Sequence, residues 1–393
     1  MHRVHFGIDQ LLDKTGLVEG RLGLVTNDAA RTARDADLQS RVALRQAGFN
    51  LVRLFSPEHG LAANAADGAA VADGSDPLTG LPVVSLYGER IRPTRASLAD
   101  LDAMLFDVPD VGARFYTYLW TLSHVLEACA ETGVPIFVLD RPNPLGGKLA
   151  AAEGPILDPE KFSSFIGRAA IPIRHSLTVG ELAQLWNAEW RLNAKLRVIP
   201  CSGWKRSMHW PDTGLPFNQT SPAIPSYESA LLYPGLGLFE ATTLSTGRGT
   251  DFPFQAIGAP WLNTQAILED FNSSGIRGLT AEQNDFKPAQ PPFASVQCHG
   301  VRLRINDHES TRPVAEGLQL LASVIRKNRR DFRWTNYPTA ANPGGGGHFK
   351  KLIGRGGVRE ALEDGAPDLS EHIKNWTSTP GWVERTRSFL LYS

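Results

Sequence analysis

The chain has 393 residues, 42% of them hydrophobic, and its 40 basic and 41 acidic side chains leave a formal net charge of −1. That length exceeds what one hydrophobic core usually supports, so two domains are expected. The balanced charge gives no overall field to draw nucleic acid or an anionic membrane, and no apolar run is long enough for membrane insertion.

The N-terminus, Met1-His2-Arg3-Val4-His5-Phe6-Gly7-Ile8, enters patterned sequence without the apolar segment of a secretory signal, so a cytoplasmic location is expected. The first half then alternates β-like runs (22–26, 51–55, 83–86, 103–106 and 136–139) with helical patterns. That alternation is the signature of an α/β fold with a mostly parallel sheet. Each run ends in polar or special residues: Asn27-Asp28, Glu58-His59, Tyr87-Gly88-Glu89, Asp107 with Asp110, and Asp140-Arg141. In open α/β sheets ligands bind at the carboxyl edge of the strands, so a shared cleft accounts for this recurrence better than solubility does.

The second of these ends stands out. The run 51–55 stops at Pro57 and presents Glu58, His59 and Gly60 on the following loop, which makes Glu58 the first candidate for a reacting acid. The competing reading is that Glu58 caps a helix and His59 bonds locally.

Phe115, Tyr118, Leu119, Leu122, Val125, Leu126 and Cys129 recur at three-and-four spacing and predict a helix over 114–132, closed by Gly133. Asp110, just ahead of it, is either a site residue or an N-cap. The three cysteines (Cys129, Cys201 and Cys298) are odd in number, far apart and without metal-ligand spacing, so neither a disulfide framework nor a metal is expected. Thr178-Val179-Gly180-Glu181 reads as a capping box, which gives Glu181 a structural task. The stripe Leu182, Leu185, Trp186 and Trp190 reads as core rather than a sugar platform. Between Gly203 and Pro234 the density of proline argues against regular helix or central strand and marks the domain junction.

Beyond it, 245–251 is a turn-rich loop, 301–305 alternates as a half-buried strand, and Pro313 opens a helix bearing Val314, Leu318, Leu321 and Ile325. Gly344 to Gly347 form a loop, and the last segment, through Trp376 and Trp382, reads as helical. The basic run 326–330 ends a helix and reads as a solvated face rather than a nucleic-acid contact. Gly235-Leu236-Gly237 lacks the third glycine of a dinucleotide fingerprint, and no phosphate-cradling loop, His-Glu-x-x-His helix or Gly-x-Ser-x-Gly elbow occurs. No cofactor is expected.

The blocks SPEHG at 56–60, TGLPVVSLYG at 79–88, FDVPDVGARFYTY at 106–118, LDRPNP at 139–144, TVGELA at 178–183 and GRGTDFPFQAIGAPW at 247–261 resemble the exo-β-N-acetylmuramidase (NamZ) family of peptidoglycan hexosaminidases. The resemblance implies a Rossmann-like catalytic domain, 1–222, followed by a smaller C-terminal α/β domain, 223–393, that completes the cleft. It also implies release of terminal N-acetylmuramic acid from peptidoglycan-derived disaccharides or muropeptides, with Glu58 as the catalytic residue. Where the family carries polar side chains near the cleft, this chain has Leu61-Ala62-Ala63, Pro109 and Ala223. That departure keeps a non-catalytic binder of cell-wall sugars as the alternative.

For such a reaction Glu58 would supply the proton, with His59 orienting it or sharing that proton. Asp110 is preferred over Asp107 and Asp140 as the second acidic group. The lactyl carboxylate of the sugar calls for a cation, and Arg114, Arg141 and Arg248 are the candidates. For each the competing reading is an ion pair that ties the domains together.

Overall fold

The structure is a computed structural model that describes residues 3–366 and 368–393, so Met1 and His2 of the N-terminal reading lie outside the described residues. Seven strands form the first sheet: β1 (Leu22–Thr26), β2 (Leu51–Ser56), β3 (Gly74–Ser75), β4 (Pro82–Ser85), β5 (Ala103–Asp107), β6 (Ile136–Leu139) and β7 (Leu196–Ile199). Their order is β3-β4-β2-β1-β5-β6-β7, and every pairing is parallel except the short edge pair β3 and β4. The chain thus runs outward from β1 to one side and then from β5 to the other. The direction reverses between β1 and β5, which is the place where doubly wound sheets open a crevice.

Alternation along the strands builds two cores. Val25, Phe55, Met104, Phe106 and Val138 face one way, while Leu22, Leu24, Leu54, Leu105 and Leu139 face the other. On the first face lies helix Tyr118–Thr132, closed by Gly133 at φ 76°, whose Trp120 stacks 5.2 Å from Trp186 of helix Val179–Glu189. The second face packs against Val4, Ile8 and Leu11 at the start of the chain. Helix Val179–Glu189 carries the expected capping box, and Glu181 also accepts from Arg206 Nη1 at 2.6 Å.

The second half holds a three-stranded antiparallel sheet, β8 (Ala256–Ala259), β9 (Leu279–Gln283) and β10 (His299–Ile305), in the order β8-β10-β9. Helix Pro313–Lys327 buries Val314, Leu318, Leu321 and Ile325 in the same cluster that contains Val25 and Trp120. One apolar core therefore runs through both halves, and we retain 222/223 as the proposed division between them. Among the described residues no helix is long and apolar enough to cross a membrane.

Three expectations need correction. The first long helix starts at Tyr118 rather than at Arg114, whose backbone N–H donates to Ile173 O at 2.7 Å. The proline-rich connection contains the start of a helix, Tyr227–Leu236, capped by Ser226 and carrying Pro234 near its end. Pro234 lies in the last turn, and two residues further the α-helix tightens into the 3-10 turn Gly237–Ala241. Gly235 is there for close approach: a Cβ on it would lie 1.9 Å from Pro313 O, so only glycine lets helices Tyr227–Leu236 and Pro313–Lys327 meet. Finally, Asp110 caps no helix; it accepts from Gly112 N at 2.8 Å in a local turn.

Candidate active site

The turn after β2 sets the centre of the site. Pro57 ends the strand, and His59 (φ 66°) and Gly60 (φ 73°) take left-handed backbone. Two consecutive left-handed residues turn the chain directly after Glu58 and keep this stretch from continuing as a helix. Glu58 is 6% exposed and lines a cavity of about 290 Å³. Its Oε2 accepts from Thr117 Oγ1 at 2.6 Å and its Oε1 from Gly68 N at 3.0 Å. Gly68 has φ 67°, and a Cβ there would lie 2.7 Å from Thr339, so this donor depends on glycine. The second half closes the cavity: Ala340 N donates to Gly68 O at 2.7 Å, and Tyr337, His348 and Lys351 join the lining.

Three carboxyls line this space around one guanidinium. Arg248 Nη2 binds Asp67 Oδ2 at 3.0 Å and also binds Glu240 Oε1. The Tyr337 hydroxyl donates to Asp67. A Glu58 oxygen, a His59 ring nitrogen and an Asp67 oxygen lie within 4.8 Å of one another. Those donors are close enough for a small cation, but Glu58 spends both oxygens on Thr117 and Gly68 and Asp67 is paired with Arg248, while His59, its Nδ1 held by Ala65 O at 2.9 Å, turns Nε2 toward Asp67 Oδ1 at 3.8 Å.

The environment drives the carboxyls apart. Burial pushes Glu58 above the ordinary carboxyl range, and the negative charge of Asp67 adds to that, against the pull of His59, Thr117 and Tyr87. For Asp67 burial acts upward too, but the Arg248 guanidinium, His59 and the Tyr337 hydroxyl outweigh it and hold the carboxyl below its usual range. Glu240, more deeply buried, is pushed up to about 7 despite Arg248. The cavity walls are aromatic, with Phe115, Tyr116, Phe165 and Tyr233 among them.

Of the residues singled out at strand ends and as candidate cations, Glu58, His59, Tyr87 and Arg248 line this cavity, and the candidate acids and arginines Asp107, Asp110, Arg114, Asp140 and Arg141 serve elsewhere. Asp107 is fully buried and paired with Arg141 Nε at 2.6 Å; Arg141 also reaches Arg31 O and Ser40 Oγ. Asp140 accepts from Gly180 N, Thr178 Oγ1 and the Tyr392 hydroxyl, and burial pushes it up to about 6. Arg114 is fully buried and donates to the carbonyls of Pro155, Ile171, Leu352 and Ile353, so it ties the two halves together through backbone. Asp110 pairs with His175 Nε2 at 3.2 Å. These geometries leave no face of Asp107, Arg114, Asp140 or Arg141 toward the cavity. Sequence reasoning missed Asp67, Glu240, Tyr337 and Lys351, which sit in stretches without a periodic or motif signal.

The family model for the N-terminal domain of exo-β-N-acetylmuramidase NamZ matches residues 22–228, and that for its C-terminal domain matches 231–392. The peptidoglycan β-N-acetylmuramidase NamZ of Bacillus subtilis (strain 168) is 39% identical over 395 aligned residues, which cover 99% of this chain and 92% of that protein. Crystal structures of two DUF1343 family proteins from Bacteroides fragilis superpose with TM-scores of 0.87 and 0.76 at 29% and 28% identity, covering 100% and 99% of both chains. With both domain models matched in order and end to end, the chain belongs to the exo-β-N-acetylmuramidase NamZ family.

Proposed function

We propose that this protein is a glycosidase that releases N-acetylmuramic acid from the non-reducing end of peptidoglycan fragments, with Glu58 as general acid/base. Turnover of wall fragments in the cytoplasm is the setting we propose for it. One observation carries the chemistry: two carboxyls lining a single cavity are driven in opposite directions, Glu58 upward and Asp67 downward. Glycosidic cleavage needs that pair of states, a protonated acid for the departing oxygen and an anion to support the cationic ring carbon. Asp67 then takes the role that sequence reasoning gave to Asp110. It either attacks the anomeric carbon or orients the 2-acetamido group that does so. Both routes retain configuration, and an acid–anion spacing within 4.8 Å leaves no room for an interposed water, which favours retention.

A cavity of about 290 Å³ bounded by both halves suits the end of a glycan better than its middle, which supports exo action. The lactyl carboxylate still needs a cation. Arg114 and Arg141 are committed elsewhere and Arg248 is shared by two carboxylates. Lys351 lines the cavity and, among the described residues, pairs with no carboxylate, so we assign the lactyl group to it.

The test uses the β-linked disaccharide of N-acetylmuramic acid on N-acetylglucosamine, beside nitrophenyl β-glycosides of each sugar. The wild-type chain should release muramic acid from the disaccharide and cleave its nitrophenyl glycoside. Glu58→Gln should lower disaccharide hydrolysis by about 10²–10⁴-fold, with far less loss on the nitrophenyl substrate, whose leaving group needs no proton. Equal loss on both would remove the acid role from Glu58. Tight binding of the disaccharide with no wild-type turnover would replace the enzyme by a sugar-binding protein.

A further inference from the structure

Away from the cavity, His209, His308 and Glu309 bring two ring nitrogens and a carboxylate oxygen within 4.8 Å of one another. His209 immediately precedes the 3-10 turn Trp210–Thr213 in the connection between the sheets, whereas His308 and Glu309 lie on the turn between β10 and helix Pro313–Lys327. The two imidazole rings are 4.5 Å apart between centroids and inclined by 40°. We propose that His209, His308 and Glu309, with Asp212 beside them, form a binding site for a zinc-like divalent transition metal ion that joins the two halves of the molecule.

The surroundings of His209 favour a ligand over a packing role. It is 4% exposed, and its Nδ1 is 2.8 Å from the Tyr227 hydroxyl. With the proton on Nδ1 donated to that oxygen, the lone pair is on Nε2, which has no hydrogen-bond partner among the described residues. Fixing one ring nitrogen by an outer partner so that the other can ligate is the usual arrangement around metal-bound histidine. Asp212 Oδ2 accepts from His209 N at 2.8 Å and lies 3.9 Å from His308 Nε2, which puts a second carboxylate at the edge of the cluster. Lys148 Nζ binds Glu309 Oε2 at 2.6 Å and leaves Oε1 uncommitted. Two imidazoles with carboxylate oxygens suit zinc and its neighbours, and do not suit magnesium or calcium, which take oxygen donors. The donors come as two short pairs, His209 with Asp212 and His308 with Glu309, that are far apart in the chain, so no recognised ligand spacing is visible in the sequence.

Full-length protein dialysed against a chelator and then against buffer is titrated with zinc chloride by calorimetry, with magnesium chloride as the control. One equivalent of zinc should bind saturably and raise the melting temperature, and magnesium should do neither. His308→Gln, at a half-buried turn position that leaves the core intact, should weaken zinc binding by at least about tenfold, as should Tyr227→Phe, which keeps every ligand and removes the outer partner. Failure of the wild-type chain to bind one equivalent of zinc overturns the proposal. Undiminished binding by His308→Gln also overturns it, because the zinc would then be elsewhere, for instance on the carboxyls of the cavity.

Discussion

The carboxyl edge of the large sheet carries two charged clusters that look alike in sequence and differ in kind. At the reversal between β1 and β5, Asp107 meets Arg141 at 2.6 Å with the acid fully buried and the arginine 4% exposed. Two strands away, past β2 and β4, Glu58, Asp67 and Glu240 line one cavity with Arg248 between them. The first cluster matches charge one to one, and Arg141 Nη2 also donates to Arg31 O and Ser40 Oγ. The second has an excess of acid, two carboxyls pushed up and one held down, and space beside them. An acid at a strand end is therefore a site residue only where its charge is left unmatched against a void. In this sheet the crevice at the reversal is plugged, and the open site has moved to the β2 side.

Removing one member of the plugged pair gives the largest effect. Arg141→Ala leaves Asp107 buried without a partner and should destabilise the fold by about 3–5 kcal/mol, read as a fall in the denaturant midpoint. Catalytic rate per folded molecule should stay near wild type. A large loss of activity at unchanged stability would return Arg141 to the binding site and erase the distinction between the clusters.

In the open cluster the balance should reverse. Asp67→Asn removes the anion that Arg248 and Tyr337 hold in place and should lower kcat by about 10²–10³-fold, with little change in melting temperature because the asparagine keeps the shape. A variant that melts early and retains its rate would make Asp67 a second Asp107.

How far this contrast was legible in the sequence depends on what each signal reports. Runs buried on both faces, such as Leu22–Thr26 and Ile136–Leu139, were visible because apolar continuity is what a central parallel strand requires. The edge strand β7 was not, since Arg197 faces solvent and only Ile199 is buried. The helix start was read four residues early because Phe115 is apolar as a wall of the cavity, not as part of a helical stripe. Glu58 was found from its place after a strand and from its block. Asp67 lies in an alanine-rich loop with no pattern of its own, and the partners that hold it, Arg248 and Tyr337, are far away in the chain. The arginines misled for a related reason: a guanidinium bound by four backbone carbonyls, as in Arg114, cannot be told from a free one by its neighbours in sequence.

A smaller effect sharpens the charge argument within the cavity. Lys351→Met removes one charge-assisted contact, so the KM for a muramic acid glycoside should rise by about tenfold to a hundredfold, the equivalent of about 1.5–3 kcal/mol. The matching N-acetylglucosamine glycoside, which has no carboxylate, should be unaffected. Equal change on both would mean that Lys351 serves the fold and that another group meets the lactyl acid.

The gentlest probe is pH, and its sign follows from the directions of the shifts. Glu58 must hold its proton to act, so kcat/KM for the disaccharide should fall as pH rises through a carboxyl pKa displaced above 4.5, and Asp67 must stay ionised, so activity should fall at acid pH only below about 3.8. Stability moves in the same direction on the basic side. A carboxyl whose folded pKa is raised holds its proton more tightly in the folded state, so its contribution is complete below the unfolded value and is lost as pH climbs through the folded one. Glu240, at about 7, titrates nearby and could contribute a limb of its own. Glu240→Gln separates the two: the basic limb should persist in that variant on the disaccharide and flatten on the nitrophenyl glycoside, because only the former draws on the proton of Glu58. Loss of the limb in Glu240→Gln would transfer the acid role to Glu240, the other raised carboxyl lining the same cavity.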